Sequence, residues 1–445
     1  MSTTSHPTPV NGEAEAEVPA SPPLPKAIPS KSEISELTWN SLALLDRAYF
    51  FMHPMPYNWQ NNKFHFRGWS ELKCLLVPHF FVIFFTLFAG TILCGGLLIA
   101  HFQHWGTISL PMINILTFPI CAMVSTLTCI AEMVCFAYGS EFESYLNRLR
   151  ALEIAFQAEV VAPASQNMSE SAKKRKIGRE RKSEYIGSML CFLMFAFPIG
   201  VVPLVLGGTA FHLDPFYFIA EAYFLPQAEY RSILVILGFW LARFFVNLLM
   251  LLEVSRMALL GVAIMPAMVQ IYRIILDTMM TDLGHVEGTR GRRILGFYTQ
   301  LDLIHNIAQT FVSIVLAINM MTGLVLMVLM SWATFKAYGI LPLELYWICP
   351  IGVVGIPVFI HATLPQAAHV HDESKELIER WKIVSRDWKR EDGRRDALVR
   401  KRLQSCRPVF WCCGGWFRVK HSTMVTYVMA IVDRVVDALL GIHVD

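Results

Sequence analysis

Three ionisable side chains lie inside an apolar stretch that runs from Ser422 to Ile442. About twenty apolar residues are enough to span a bilayer, and this stretch has that length. A charged side chain at the bilayer centre costs about 3 kcal/mol on insertion scales, so such groups face a protein interior or water. We therefore expect Asp433, Arg434 and Asp437 to mark either a packed polar contact or the wall of a water-filled path for ions.

The polar side chains of this stretch share one stripe of a helix, with successive spacings of three and four residues. The stripe consists of Thr423, Thr426, Ala430, Asp433 and Asp437, with Tyr427 and Arg434 beside it. Two interpretations are open. In the first, Arg434 pairs with Asp437 and the polar face packs inside its own helix bundle. In the second, the stripe lines a pore between several copies of the helix, whose net negative charge favours cations.

The composition is typical of a chain that crosses a membrane several times. Hydrophobic residues make up 54% of the 445 residues and charged residues only 16%, whereas soluble domains average about 25% charged residues. Seven apolar runs have the length of a span: 75–102, 108–138, 185–213, 232–264, 310–335, 338–362 and 422–442. The predicted fold class is an all-α, polytopic membrane protein with seven transmembrane helices.

The distribution of Lys and Arg between the loops predicts the orientation. The loops after the second, fourth and sixth spans hold twenty-seven of these residues, against two in the loops after the first, third and fifth. Positively charged loops stay in the cytoplasm, so we expect a cytoplasmic N-terminus and an extracellular C-terminus. This orientation is opposite to that of G-protein-coupled receptors. The basic run at 172–182 is interpreted as a topology signal against anionic lipid, and we expect no nucleic-acid partner.

These features predict the following organisation. Residues 1–40 form a disordered cytoplasmic tail, 41–74 a juxtamembrane segment, 75–362 the first six transmembrane helices with cytoplasmic helical loops, 363–421 a cytoplasmic helical segment, and 422–445 the seventh helix with a short extracellular C-terminus. Apolar residues at helical spacing continue several spans into the cytoplasmic loops. We expect these extensions to pack on one another rather than lie on the membrane surface.

The stretch "TYVMAIVDR" resembles the signature of the last helix in the insect gustatory and odorant receptor superfamily, which is Thr-Tyr, five apolar residues, then Gln-Phe. Thr426 and Tyr427 match it, whereas Asp433 and Arg434 replace the Gln-Phe pair. The preceding "SCRPVFWCCGGWFRVKHS" resembles the family's approach to that helix. If its Gly-Trp-Phe sets the alignment, the Thr-Tyr position falls near Asp433-Arg434 instead. Both alignments leave Asp433 on the polar stripe.

This resemblance, to gustatory receptors in particular, implies a plasma-membrane, multi-pass receptor that forms a tetrameric ligand-gated non-selective cation channel. The cytoplasmic helical extensions would form the oligomerisation domain. The implied partners are a tastant or odorant, inorganic cations, membrane lipid, and copies of the chain or a related subunit. No cofactor or metal is expected. The pore-lining residues would be Thr426, Ala430, Asp433, Arg434 and Asp437.

The resemblance also implies a ligand pocket in the outer half of each subunit. Aromatic residues with a few polar groups typically line such a site, and the predicted orientation places six candidates there: His212, Trp240, Arg243, Trp332, Tyr346 and Trp347. Arg243 is the strongest candidate, because a charge deep in a span needs a partner. The alternative is that the Trp and Tyr residues form an interfacial aromatic belt.

A second function class is an inverted seven-helix protein without a pore, either a metal-dependent membrane hydrolase or a receptor scaffold. His361, His369 and His371 could suggest a metal site. A zinc hydrolase needs ligands from several spans, and no second histidine cluster occurs inside a span. The sequence also has no phosphate-binding glycine-rich loop and no nucleophile motif. We therefore expect a protein that is not an enzyme.

Overall fold

The computed structural model describes residues 36–49, 52, 57–60, 63–67, 76–105, 109–161, 170–223, 233–281, 289–336, 338–339, 343–387 and 401–441. The helices are α1 (Glu36–Ala48), α2 (Leu76–Phe85), α3 (Cys94–Phe102), α4 (Met112–Phe156), α5 (Glu170–Ala210), α6 (Pro215–Tyr223), α7 (Ile233–Thr281), α8 (Thr289–Lys336), α9 (Leu343–Tyr346), α10 (Ile348–Asp387) and α11 (His421–Gly441). A π-helical stretch, Thr86–Leu93, joins α2 to α3. Two antiparallel hairpins pair β1 (Tyr57–Gln60) with β2 (Lys63–Phe66) and β3 (Cys412–Cys413) with β4 (Phe417–Arg418).

The all-α membrane class predicted from the sequence is confirmed. Within the described residues, five helical segments are long and apolar enough to cross a membrane: Phe80–Phe102, Met112–Val160, Glu180–Glu221, Ile233–Met280 and Gly291–Lys336. They coincide with the first five predicted spans. A shorter apolar segment, Ile348–Val358, begins α10. The 21-residue α11 has the length of a span but carries two Asp and one Arg. The count of seven spans therefore stays a prediction.

Two predicted boundaries differ from the observed helices. Helix α1 begins at Glu36, before the predicted end of the tail at residue 40, and its Trp39 is buried. Residues 1–35 lie outside the described ranges. The predicted span 338–362 does not start as a helix, because Tyr338 and Gly339 form a turn in which Gly339 has a left-handed φ of +82°. The long helix begins only at Ile348 and continues to Asp387.

The helical extensions pack on one another at the end of the bundle that is predicted to be cytoplasmic. Tyr272 of α7 lies in the centre of this core, with its hydroxyl 3.2 Å from that of Tyr145 in α4 and 3.2 Å from Nδ1 of His305 in α8. The Nε2 atom of His305 donates to the carbonyl oxygen of Phe410 at 2.8 Å. All of these side chains except Phe410 are buried. The prediction of packed extensions is thus confirmed.

Candidate pore face and ligand cavity

Helix α11 packs along one side against α8 and α10. The residues of this side are Met424, Tyr427, Ile431, Val435 and Ala438, again at spacings of three and four. Tyr427 fixes the position of the helix, because its hydroxyl donates a 2.6 Å hydrogen bond to the carbonyl oxygen of Met320 in α8. Together these contacts leave the polar stripe on a different side of the helix.

The polar stripe of α11 is exposed. Thr426, Asp433, Arg434 and Asp437 are all exposed, and Ala430 is half-buried. Arg434 Nη1 donates to Asp437 Oδ2 at 3.0 Å, as the first interpretation expects, but the two side chains remain 68% and 65% exposed. The stripe therefore does not pack inside the helix bundle of its own subunit.

A third side of α11 is both apolar and exposed. It consists of Val425, Val428, Met429, Val432, Val436 and Leu440. The helix thus presents a packed side, a polar exposed side and an apolar exposed side. Two exposed sides of opposite polarity on one helix require two different environments.

A cavity of about 190 Å³ lies at the end of the bundle that is predicted to be extracellular. Most of its wall is aliphatic, contributed by Leu204, Val205, Leu213, Met250, Leu251, Met330 and Ile348 among others. Its polar and thiol side chains are those of Cys94, Thr117, Cys121, Thr209, Asp214, Asn247 and Cys349. This lining is that of a small-molecule site, which is mostly apolar with a few placed polar groups.

None of the six pocket residues predicted from the sequence lines this cavity. Arg243 comes nearest, because it binds a residue of the wall. Its Nε lies 3.0 and 3.1 Å from the carboxylate oxygens of Asp214, and its Nη2 donates to the Thr209 carbonyl oxygen at 3.3 Å. Arg243 thus has the partner that a charge deep in a span needs, and that partner is Asp214.

The other predicted pocket residues occupy several separate places. His212 is exposed, has φ +55°, and stacks on Tyr217 with ring centroids 3.9 Å apart. Trp240 is half-buried and stacks on another ring of α7, and Trp347 is exposed. These positions are also compatible with the interfacial belt that was the alternative.

Trp332 and Tyr346 lie beside the cavity rather than in its wall. Trp332 is buried in a cluster that includes Cys349, which does line the cavity. The hydroxyl of Tyr346 donates to the carbonyl oxygen of Thr334 at 3.0 Å and so ties α9 to the end of α8. The structure therefore groups these two residues with each other, apart from His212 and Trp240.

The sequence missed the polar residues of the cavity wall. Thr117 Oγ1, Thr209 Oγ1 and Asn247 Oδ1 are buried and have no hydrogen-bond partner among the described residues. Asn247 could have been found, because it lies one helical turn after Arg243 and asparagine is costly in a span. The two threonines could not have been identified from the sequence, because threonines whose hydroxyls bond to their own helix are common in such sequences.

A second group of charges is buried between α4 and α7. Arg256 forms an ion pair with Glu253, and Glu132 of α4 lies close enough to interact with both of these charges. All three side chains are buried. The ion pair therefore lies inside the helix bundle.

The histidines that could suggest a metal site make other contacts. His371 Nδ1 lies 3.2 Å from the Val409 carbonyl oxygen, and the ring of His369 meets that of His421 edge-on at 5.4 Å. In the described part of the chain, no group of three His, Cys, Asp or Glu side chains could hold a metal ion.

A polar cavity lies at the end opposite to the apolar one, between α5, α7 and α10. Lys182, Arg273, Asp277 and Glu373 line it. Burial raises the pKa of Glu373, and the nearby Arg273 partly offsets this effect. The cavity carries both positive and negative side chains, and the basic start of α5 lies beside it. Its lining therefore favours neither an anionic nor a cationic ligand.

Of the comparisons with known proteins, the one with solved structures gives a match. No family model and no curated protein matches this sequence. Among solved structures, the chain is similar to the insect olfactory receptor OR5 from Machilis hrabei, which was determined in complex with eugenol. The TM-score is 0.56 at 14% sequence identity, over 91% of this chain and 98% of that chain. The chain therefore has the fold of that olfactory receptor along nearly its whole length.

Proposed function

We propose that this chain is a chemosensory receptor subunit of the insect gustatory and odorant receptor superfamily, and that four copies surround a ligand-gated cation pore. It spans the plasma membrane seven times, with the N-terminus in the cytoplasm and the C-terminus outside. The fold shared with an insect olfactory receptor supports the superfamily, and the match at Thr426 and Tyr427 to the superfamily's last-helix signature adds to that support.

The exposed polar stripe of α11 carries the proposal. Each ionisable side chain left against lipid costs about 3 kcal/mol, so Asp433, Arg434 and Asp437 need water or protein beside them. A scaffold or hydrolase without a pore would leave all three against lipid. One α11 helix cannot enclose a water-filled path, whereas a symmetric ring of copies can.

A ring of α11 helices also accounts for the helix's third side. When the polar stripe faces the central axis, the apolar exposed side that contains Val432 and Val436 meets the neighbouring copy or lipid. Each helix carries two Asp and one Arg, so its net charge is −1. A ring of negative charge attracts cations and repels anions.

The apolar cavity supplies the ligand site of the proposed receptor. It lies at the predicted extracellular end, where a tastant or odorant arrives, and its lining is mostly apolar. Met330 of its wall belongs to α8, which also holds Tyr427 of α11 through Met320. Ligand binding can therefore act on the pore helix through a single rigid element.

Voltage clamp of cells that express the chain tests the pore assignment. We expect Asp433→Asn and Asp437→Asn each to lower the cation-to-anion permeability ratio several-fold, because each removes one negative charge per subunit from the ring. Glu376→Gln is the matched control, since this carboxylate is exposed on α10 and pairs with Arg380 there. Unchanged selectivity and conductance in both aspartate variants would remove the stripe from the pore.

A further inference from the structure

Two deeply buried polar atoms of the apolar cavity lack the partners that such atoms normally have. Thr209 is 1% exposed and Asn247 is 8% exposed, yet neither Thr209 Oγ1 nor Asn247 Oδ1 has a hydrogen-bond partner in the described part of the chain. Thr117 Oγ1 in the same wall also lacks one. More than nine in ten buried polar groups are bonded, so each exception needs a reason.

Several other helical threonines bond within their own helix, whereas the two threonines of the cavity wall do not. Hydroxyls elsewhere donate to the carbonyl oxygen four residues earlier in their own helix, at 2.6–2.9 Å: Thr86, Thr126, Thr128, Thr322 and Thr334. Thr117 and Thr209 have the same option but do not make this bond. Two residues of the cavity wall therefore keep an unused hydroxyl.

The charges around the cavity indicate a neutral ligand. Asp214 is the ionisable acid of the wall, and its carboxylate already binds the guanidinium of Arg243 and the backbone N–H of Tyr217 at 3.1 Å. The rest of the wall has no charged side chain, since it consists of apolar side chains, two threonines, one asparagine and three cysteines. A charged ligand would lose its hydration and gain no counter-ion, which is costly.

We propose that this cavity binds a small neutral alcohol or phenol whose hydroxyl donates to Asn247 Oδ1 and accepts from a threonine hydroxyl of the wall. The inference rests on the proposed function only in taking the cavity as the ligand site. A hydroxyl both donates and accepts, whereas an ether oxygen only accepts and leaves Asn247 Oδ1 unpaired. An apolar cavity of about 150 Å³ binds benzene, so about 190 Å³ holds one ring with a short substituent.

Isomeric pairs of probes test the requirement for a donor. The dissociation constants of para-cresol against anisole, and of cyclohexylmethanol against methoxycyclohexane, are measured by calorimetry on the purified full chain in lipid nanodiscs. We expect each alcohol to bind about 10-fold more tightly than its isomeric ether, which corresponds to about 1.4 kcal/mol. Equal affinities within the pairs, or no binding of either alcohol, would overturn the proposal.

Near-isosteric variants assign the preference to residues. Asn247→Leu removes the acceptor, so we expect it to abolish the preference for alcohols while the affinity for the ethers stays the same. Thr209→Val removes a donor that both kinds of oxygen can use, so we expect it to weaken alcohols and ethers alike and to leave the preference in place. Thr322→Val is the matched control, because its hydroxyl bonds to the Ile318 carbonyl oxygen at 2.6 Å and lies outside the cavity. A preference that persists in Asn247→Leu contradicts the assignment.

The binding measurement is independent of the proposed channel. A chain that binds para-cresol selectively but carries no current would refute the channel and leave the ligand class standing. A chain that opens to other ligands, yet binds alcohols and ethers equally, would refute the ligand class and leave the channel standing.

Discussion

At the scale of single residues, the buried pair of Arg243 and Asp214 shows how one contact can organise the wall of a cavity. Asp214 precedes Pro215, the first residue of α6, and its Oδ1 accepts the N–H of Tyr217 at 3.1 Å. An Asp cap followed by Pro is a favoured helix start. The same carboxylate binds Arg243 of α7, so it joins the turn after α5 to α7 on one side of the cavity.

We expect Asp214→Asn to lower the free energy of unfolding by about 3–5 kcal/mol, because it leaves the Arg243 charge buried without its counter-ion. Adding Arg243→Met should recover most of this loss, since the charge is then absent. Equilibrium unfolding in mixed SDS micelles measures both. Arg380→Gln, which breaks an exposed pair with Glu376, is the control and should change the free energy by less than about 1 kcal/mol.

At the scale of elements, α8 and α11 approach closely where a glycine faces a tyrosine. A Cβ atom on Gly323 would lie 2.8 Å from the hydroxyl oxygen of Tyr427, which bonds to Met320 of the same helix. Glycine therefore lets the Tyr427 hydroxyl lie against the backbone of α8. Because α11 carries the polar stripe, this contact sets which side of the helix is exposed.

We expect Gly323→Ala to destabilise the protein by about 1–3 kcal/mol, because the new methyl group displaces the Tyr427 hydroxyl. Combining it with Tyr427→Phe should cost less than the sum of the single changes, since phenylalanine removes the clashing oxygen. The free energies of unfolding of the wild type, the two single variants and the double variant give the coupling energy between Gly323 and Tyr427. Gly238→Ala, with open space around its Cβ, is the control. A strictly additive double variant would contradict the contact.

The elements were largely predictable from the sequence, and the cavity was not. Apolar runs predicted the first five spans, and helical spacing of apolar residues predicted their packed extensions. Both patterns can be read from consecutive residues of a single segment. The start of the sixth span was placed too early, since hydropathy reads straight through Gly339 and Pro342, although both are break signals. The cavity wall depends on which sides of several helices meet, and no single segment encodes that.

At the scale of the whole molecule, apolar side chains are exposed at the end that is predicted to be cytoplasmic. Leu303 of α8 is 60% exposed and Trp416 of the β3–β4 turn is 73% exposed, with Ile307 and Phe417 nearby in sequence. Outside the predicted spans, water rather than lipid would meet these side chains. Apolar groups left together in water mark protein contacts, and copies of the proposed tetramer would meet there.

We expect Leu303→Glu, alone or with Trp416→Ser, to convert tetramers into smaller species, because a charge buried at a subunit contact is not compensated there. Single-particle imaging of the protein purified in mild detergent measures the oligomer. Lys63→Glu in the β1–β2 hairpin changes charge at an exposed site on another part of the fold and should leave the oligomer intact. Tetramers that survive in both Leu303 variants would place the subunit contact elsewhere. A wild-type chain that is only monomeric would leave the α11 stripe without the copies that a shared pore requires.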